Sequence, residues 1–139
     1  MLLALILASA TVAFATPANA ATEALLVHGS AYGEVLFDGD GFVLYAVTKD
    51  RKGKSRCYGT CAKAWPPYVV DAQPSAAAGA DAGRIGVRRR RNGDLQATYG
   101  GRPLYYWVGD NEPGDIFCQD VFEYGGRWLV VGPSGKLVT

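Results

Sequence analysis

The segment Cys57-Tyr58-Gly59-Thr60-Cys61 holds the residues whose type and spacing most directly suggest chemistry. A glycine between two cysteines relaxes the backbone so that their Cα atoms reach disulfide range, and in an exported chain a structural clasp is the expected role. A thioredoxin-type redox pair needs Cys-x-x-Cys at a helix start, and this spacing is longer; covalent haem attachment needs a following His, and none follows. A zinc or copper thiolate site needs more ligands than two cysteines. The chain adds only Cys118, His28 and Met1, the last of which is lost with the leader described below. Three thiols, Cys57, Cys61 and Cys118, holding a soft ion such as Cu(I) are the sharper reading. A buried free thiol at Cys118, or one that pairs between molecules, is the plainer one.

A second group is aromatic and acidic. The rings of Tyr45, Trp65, Tyr105, Trp107 and Trp128 have the chemistry to stack on sugars or quinone-like ligands. Tyr105 and Trp107, however, stand two apart in an extended segment and so share one face, which is normally the core face. Asp50 and Asp110 open polar loops with glycine nearby, where a carboxylate caps backbone N–H groups in an Asx turn. Tyr45, Asp50, Tyr105, Trp107 and Asp110 therefore stand as ligand-contacting or loop-capping candidates. Asp110, Glu112 and Asp115 crowd one loop without completing the alternating oxygen ligands of a calcium loop.

The run Arg88 to Arg91, with Arg84 nearby, flanks Asn92-Gly93 and reads as a solvated hairpin tip whose charge discourages edge pairing. Contact with anionic lipid, cell-wall polymer or nucleic acid is the alternative, but interleaved aromatics are missing and 14 basic against 13 acidic residues leave a net charge of only +1. The sole histidine, His28, has no partnered nucleophile, no Gly-x-Ser-x-Gly elbow occurs, and the glycine-rich turns do not open phosphate-binding helices. No catalytic residue, cofactor or metal is assigned, and enzymatic activity is not expected.

The elements that must position these residues are short strands. Runs rich in Val, Leu, Tyr and Phe alternate with glycine punctuation. Val35 to Asp38 and Phe42 to Val47 flank Gly39-Asp40-Gly41, and Ile85 to Arg91 and Asp94 to Tyr99 flank the strong hairpin signal Asn92-Gly93. Gly100-Gly101 turns the chain into Arg102 to Val108, and Gly125-Gly126 separates Val121 to Tyr124 from Trp128 to Val131. One helical turn is predicted near Thr60–Trp65, stopped by Pro66-Pro67. Residues 71–83, rich in Ala and without a large apolar side chain, read as a flexible surface connection.

Met1 to Ala20 carries no charge, has an apolar run from Leu2 to Ala8 that resumes near Val12, and ends in Pro17-Ala18-Asn19-Ala20. This is a signal peptide pattern with cleavage expected after Ala20, although Met1-Leu2-Leu3 lacks the usual opening Lys or Arg. A membrane anchor needs about 20 uninterrupted apolar residues, and Ser9, Thr11, Thr16, Pro17 and Asn19 interrupt this run. The remaining 21–139 suit one domain with one modest core.

The two halves of that domain look alike. Placing Tyr45 on Tyr105 also aligns Gly41 with Gly101, Leu44 with Leu104 and Asp50 with Asp110. After a small drift, Ala64-Trp65 with Val69-Val70 corresponds to Arg127-Trp128 with Val130-Val131. The expected fold is all-β, a small sandwich or open barrel of hairpins built from two pseudosymmetric repeats, about 33–70 and 84–131. In this arrangement Tyr45 and Tyr105 pack near the pseudo-axis, and Trp65 and Trp128 each close one half.

Gly101-Arg102-Pro103-Leu104-Tyr105-Tyr106-Trp107-Val108-Gly109-Asp110, together with Leu44-Tyr45, Asp50 and the stretch from Cys57 to Trp65-Pro66-Pro67, resembles the bacterial secreted or lipoprotein repeat family named for its Tyr-x-(Phe/Trp/Tyr)-x-x-Asp motif. The resemblance runs from about Gly33 to Val131. It implies an envelope or secreted protein of two tandem repeats, and the family has no established activity to carry over. Val47 stands where the first motif expects a ring, Cys118 lies in a stretch that is usually glycine-rich in the family, and no lipidation cysteine follows the apolar run. A periplasmic or secreted monomer without a lipid anchor is thus expected, not spanning the membrane after cleavage. The expected role is a non-enzymatic binding or accessory module of the bacterial envelope, with an envelope protein or small ligand rather than nucleic acid as partner. The alternative is a redox or metal-handling periplasmic protein.

Overall fold

The computed structural model describes residues 12–13, 23–51 and 53–139. Apart from Val12 and Ala13, the leader and its cleavage site lie outside them. Strands β1 (Ala24–Ser30) and β2 (Gly33–Asp38) form an antiparallel hairpin from Leu25↔Asp38 to Ser30↔Gly33. The chain then enters β3 (Tyr45–Val47), helical turn α1 (Thr60–Ala64), β4 (Val69–Val70), β5 (Ser75–Ala76) and a 3-10 turn at Ala82–Arg84. The second half supplies β6 (Ile85–Arg89), β7 (Leu95–Tyr99), β8 (Arg102–Pro103), β9 (Val121–Glu123) and β10 (Gly126–Val130).

The turn chemistry of the sequence is realised at the hairpins. β6 and β7 pair in a register running from Ile85↔Tyr99 to Arg89↔Leu95, and Arg90 N donates to Asp94 O. The connection is therefore the three residues Arg91-Asn92-Gly93 with Gly93 at φ 95°, one residue more than the Asn92-Gly93 signal alone implies. Between β9 and β10, Tyr124 and Gly125 both take positive φ, 52° and 79°, the pairing of left-handed residues that a tight hairpin turn requires. The helical turn ends where Trp65 precedes Pro66-Pro67, as predicted, because proline cannot continue the i to i−4 ladder.

The repeats exchange strands. Among the described residues the sheets run β2-β1-β5, β3-β10-β9 and β4-β7-β6, with β8 on β7, and they do not close into a barrel. Thus β3 of the first half pairs with β10 of the second, and β7 of the second pairs with β4 of the first. The exchange is reciprocal outside the named strands as well: Leu36 N donates to Val131 O and Ala97 N to Tyr68 O, each at 2.9 Å. The fold is a small all-β, sandwich-like arrangement in which each hairpin is continued by the end of the other repeat.

Two apolar clusters fill the interior. One gathers Leu25, Leu36, Leu44, Tyr99, Leu104 and Val131; the other gathers Tyr45, Trp65, Tyr105, Trp128 and the three cysteines. The connection over 71–83 runs along the surface, and its middle pairs with the first hairpin. Ser75–Ala76 adds in parallel to the edge of β1, Ala77 N donates to Leu25 O, and Val27 N donates to Ala78 O. Small side chains leave the segment exposed, but its backbone groups satisfy an otherwise open strand edge. No helix among the described residues is long and apolar enough to cross a membrane.

Candidate functional site

The residues shared by the two repeats meet at the pseudo-axis. Tyr45 N donates to Tyr105 O and Tyr105 N to Tyr45 O, both at 2.9 Å, so two extended backbones face each other across the duplication. Each tyrosine then reaches the aspartate of the opposite repeat: Tyr45 Oη donates to Asp110 Oδ2 at 2.7 Å and Tyr105 Oη to Asp50 Oδ2 at 2.6 Å. The other oxygen of each aspartate closes its own loop, Asp50 Oδ1 accepting from Arg56 N at 2.7 Å and Asp110 Oδ1 from Phe117 N at 2.9 Å. Burial pushes both aspartates above their ordinary value of 3.8, opposed by the tyrosine bond and by the backbone donor. Burial likewise raises both tyrosines, with the facing carboxylates adding to the shift.

The tryptophans behave differently from the expectation. Trp65 and Trp128 do not close separate halves; their rings stack on one another, centroids 4.1 Å apart and 9° from parallel. Tyr45 packs edge-on against Trp65 and Tyr105 edge-on against Trp128. Both indole N–H groups go to Glu123: Trp65 Nε1 to Oε2 at 2.9 Å, Trp128 Nε1 to the backbone oxygen at 3.0 Å. All four rings are essentially without exposed surface, so they line no groove. Trp107 is half-buried, 6.3 Å from the Trp65 ring and laid against the Gly109 backbone, where a Cβ would lie 2.3 Å from it. Sequence reasoning missed Glu123, because nothing in a hairpin-end glutamate signals a partner 58 positions away.

Cys57 and Cys61 are joined in a disulfide. Cys118 is a buried free thiol, pushed up to about 11 by burial and then by the charges of Glu123 and Asp110. The three-thiolate reading is corrected: two of its sulfurs are consumed in the disulfide, and no metal-holding group of three His, Cys, Asp or Glu forms among the described residues. In the acidic loop, Asp115 Oδ2 accepts from Glu112 N at 3.0 Å, a turn-closing bond.

The arginine run is not simply a solvated tip. Arg88, Arg89 and Arg91 are exposed, whereas Arg90 is buried, with 6 % of its surface accessible. Its guanidinium donates to Ser55 Oγ and Gln96 Oε1, each at 2.9 Å, and to Cys57 O at 2.6 Å. Since Tyr105 Oη spends its one proton on Asp50, Ser55 must donate to Tyr105 across their 2.6 Å contact. A directed chain results, Arg90 to Ser55 to Tyr105 to Asp50, which relays an ion pair through two hydroxyls and ties the arginine strand to the pseudo-axis.

Between this strand and the facing loop lies a groove of about 770 Å³. Lys49, Lys54 and Arg56 line one side, Arg88 to Arg91 the other, and no carboxylate lines it among the described residues. Tyr58 sits on its wall beneath the guanidinium carbons of Arg90 and Arg91, 4.3 and 3.9 Å from the ring centre. The corresponding groove of the other half, about 480 Å³ between the β1–β2 tip and the loop Pro113 to Ile116, is lined by no Lys or Arg. The basic lining is therefore not a requirement of the architecture.

No curated protein and no solved structure matches the chain. The sequence pattern of one family, described as "Secreted repeat of unknown function", matches it twice, over 28–69 and 86–132. Those two segments are the halves that exchange strands and tyrosine–aspartate bonds across the pseudo-axis, and the chain belongs to this family of secreted repeats as a tandem pair.

Proposed function

We propose that the chain is an exported, non-enzymatic binding module of the bacterial envelope, a periplasmic or secreted monomer without a lipid anchor, whose ligand is anionic and sits in the basic groove. The observation that carries this reading is a lining of one charge sign on both walls: seven cations and no carboxylate among the described residues, on a chain with a net charge of only +1. Charge of one sign gathered in a concave surface concentrates counter-charged ligands there, and a groove of this volume falls within the range of ligand sites. Membership in a family of secreted repeats supports export. The tyrosines, aspartates and tryptophans common to both repeats are engaged in closing the fold, which supports binding rather than catalysis.

The test is amide chemical-shift mapping of the mature protein with inorganic pyrophosphate at low ionic strength. Signals of Gly53 to Tyr58 and Arg88 to Arg91 should move while those of loop 110–118 stay. Unmoved groove signals would overturn the reading.

A further inference from the structure

The groove also specifies what kind of anion it suits, and this deepening rests on the reading just given. We infer that its ligand is a linear polyphosphate-type chain, several linked phosphate groups laid between the two basic walls and recognised through charge without a base or sugar ring.

Three observations lead there. The first is multiplicity. Cations stand on both walls of a space larger than one tetrahedral oxyanion fills. Lys54, Arg56, Arg89 and Arg91 are exposed residues with no carboxylate in an ion pair with them among the described residues, where the pairs formed are Arg84–Asp81 and Arg127–Asp120. Several such charges are matched by a ligand carrying several charges in a row.

The second is that the groups able to read anything other than charge are already engaged. Tyr58 is the aromatic residue of the lining, and its ring is covered by two guanidinium groups while its hydroxyl accepts from Arg91 N at 3.3 Å. Stacking on a base or sugar needs an open ring face. Gln96 accepts from Arg90 and donates to Leu104 O at 2.8 Å, and Ser55 is held between Arg90 and Tyr105. The neutral side chains that would recognise sugar hydroxyls are thus committed inward, and the remaining side chains are cationic.

The third is placement. Arg90 is fixed by three neutral acceptors and buried, so the wall is pre-organised, while the matching hairpin tip of the other repeat carries His28, Gly29 and Ser30. Of two equivalent grooves, one alone has acquired a cationic lining. A phosphate chain is the polymer with the highest density of charge and the fewest neutral features, which matches what this lining offers.

The experiment uses the full mature chain and a labelled linear polyphosphate of about 15 units, followed by fluorescence anisotropy between about 50 and 200 mM salt. Binding should be at least about tenfold tighter than to single-stranded DNA of equal phosphate number, to polyglutamate, or to phosphatidylglycerol vesicles at equal accessible phosphate. The slope of log affinity against log salt should correspond to release of counterions at several phosphates, each contributing about 0.7. The exposed-site variant Lys54→Ala/Arg89→Ser/Arg91→Ser should lose about tenfold or more in affinity while remaining folded, with only a small drop in melting temperature from the lost Arg91–Tyr58 and Arg89–Gly93 contacts. Lys54→Gln alone should lose a smaller factor with an unchanged melting temperature. Lys136→Ala, outside the groove, should bind as the parent does. If orthophosphate competes at the same molar concentration as the 15-unit chain, the anion site stands and the chain inference falls. DNA, polyglutamate or vesicles binding as tightly would overturn the inference in favour of that ligand. Failure of every anion to bind would remove both the inference and the function on which it rests.

Discussion

Asp50 and Asp110 each do two jobs with two oxygens. One oxygen closes the loop that follows it, and the other fastens the tyrosine of the opposite repeat. The position costs something in solvation, since burial raises both carboxyls above 3.8 despite the bonds that favour the charged form. A group whose folded pKa exceeds its unfolded value contributes stability that is fully present below the unfolded pKa and is lost as pH rises through the folded one. The double variant Asp50→Asn/Asp110→Asn removes that titration. Its melting temperature relative to wild type should therefore shift in the variant's favour as pH rises from about 3.5 to about 6, on top of a constant offset from altered hydrogen bonding. A difference that stays flat across that range would show that these two carboxyls do not titrate differently on folding.

At the scale of elements, the loop from Asp50 to Tyr58 is held at several points. Asp50 fixes Arg56, Arg90 fixes Ser55 and Cys57, and the disulfide joins Cys57 to α1. The disulfide closes only a short loop, so its entropic contribution is modest, about 2 kcal/mol for five residues. Cys57→Ser/Cys61→Ser should lower the unfolding free energy by about that amount while the fold persists, as read by urea denaturation monitored through tryptophan fluorescence. A loss of 5 kcal/mol or more, roughly the whole stability of a marginal domain, would mean that the clasp rather than the packing holds α1 in place. The β6–β7 hairpin shows how an element read correctly in its strands can be misread at its surface. The hairpin forms where Asn92-Gly93 marks it, but Arg90, one residue past the end of β6, bonds Asp94 and is buried under the loop, while Arg88, Arg89 and Arg91 stay exposed.

For the whole molecule, the exchange of strands makes neither repeat complete. β3 lacks its partner without β10, β7 lacks β4, and the Trp65–Trp128 stack needs a ring from each half. Residues 21–81 and 82–139 expressed separately should each be unfolded by circular dichroism and proton NMR, and mixing them should restore dispersed signals. Independent folding of either piece would show that the exchange is dispensable. Each tryptophan also contributes a large share of the common core. Trp65→Ala or Trp128→Ala should cost about 3 to 5 kcal/mol, measured by denaturant unfolding, because either truncation opens a cavity in the one stack.

Several features follow from the sequence alone, for local reasons. Glycine and Asn-Gly spacing marks the turns, alternating apolar residues mark strands, Pro66-Pro67 ends the helical turn, and the matching of Tyr45 with Tyr105 and Asp50 with Asp110 reveals the duplication. Cys57 and Cys61 lie close enough in the chain for their pairing to be read from spacing. The pairing of residues 75–78 with β1 was not legible, because it is made by backbone groups and leaves no mark on the side chains. Long-range partner choice was equally hidden. That each tyrosine bonds the aspartate of the other repeat, that the two indoles stack and share Glu123, and that Arg90 turns inward depend on which strands are neighbours. The basic groove likewise joins Lys49, Lys54 and Arg56 to an arginine run more than thirty positions away. Composition gives only the sum, a charge of +1; the tertiary structure decides where that charge is gathered, because folding brings distant loops of one sign to face each other.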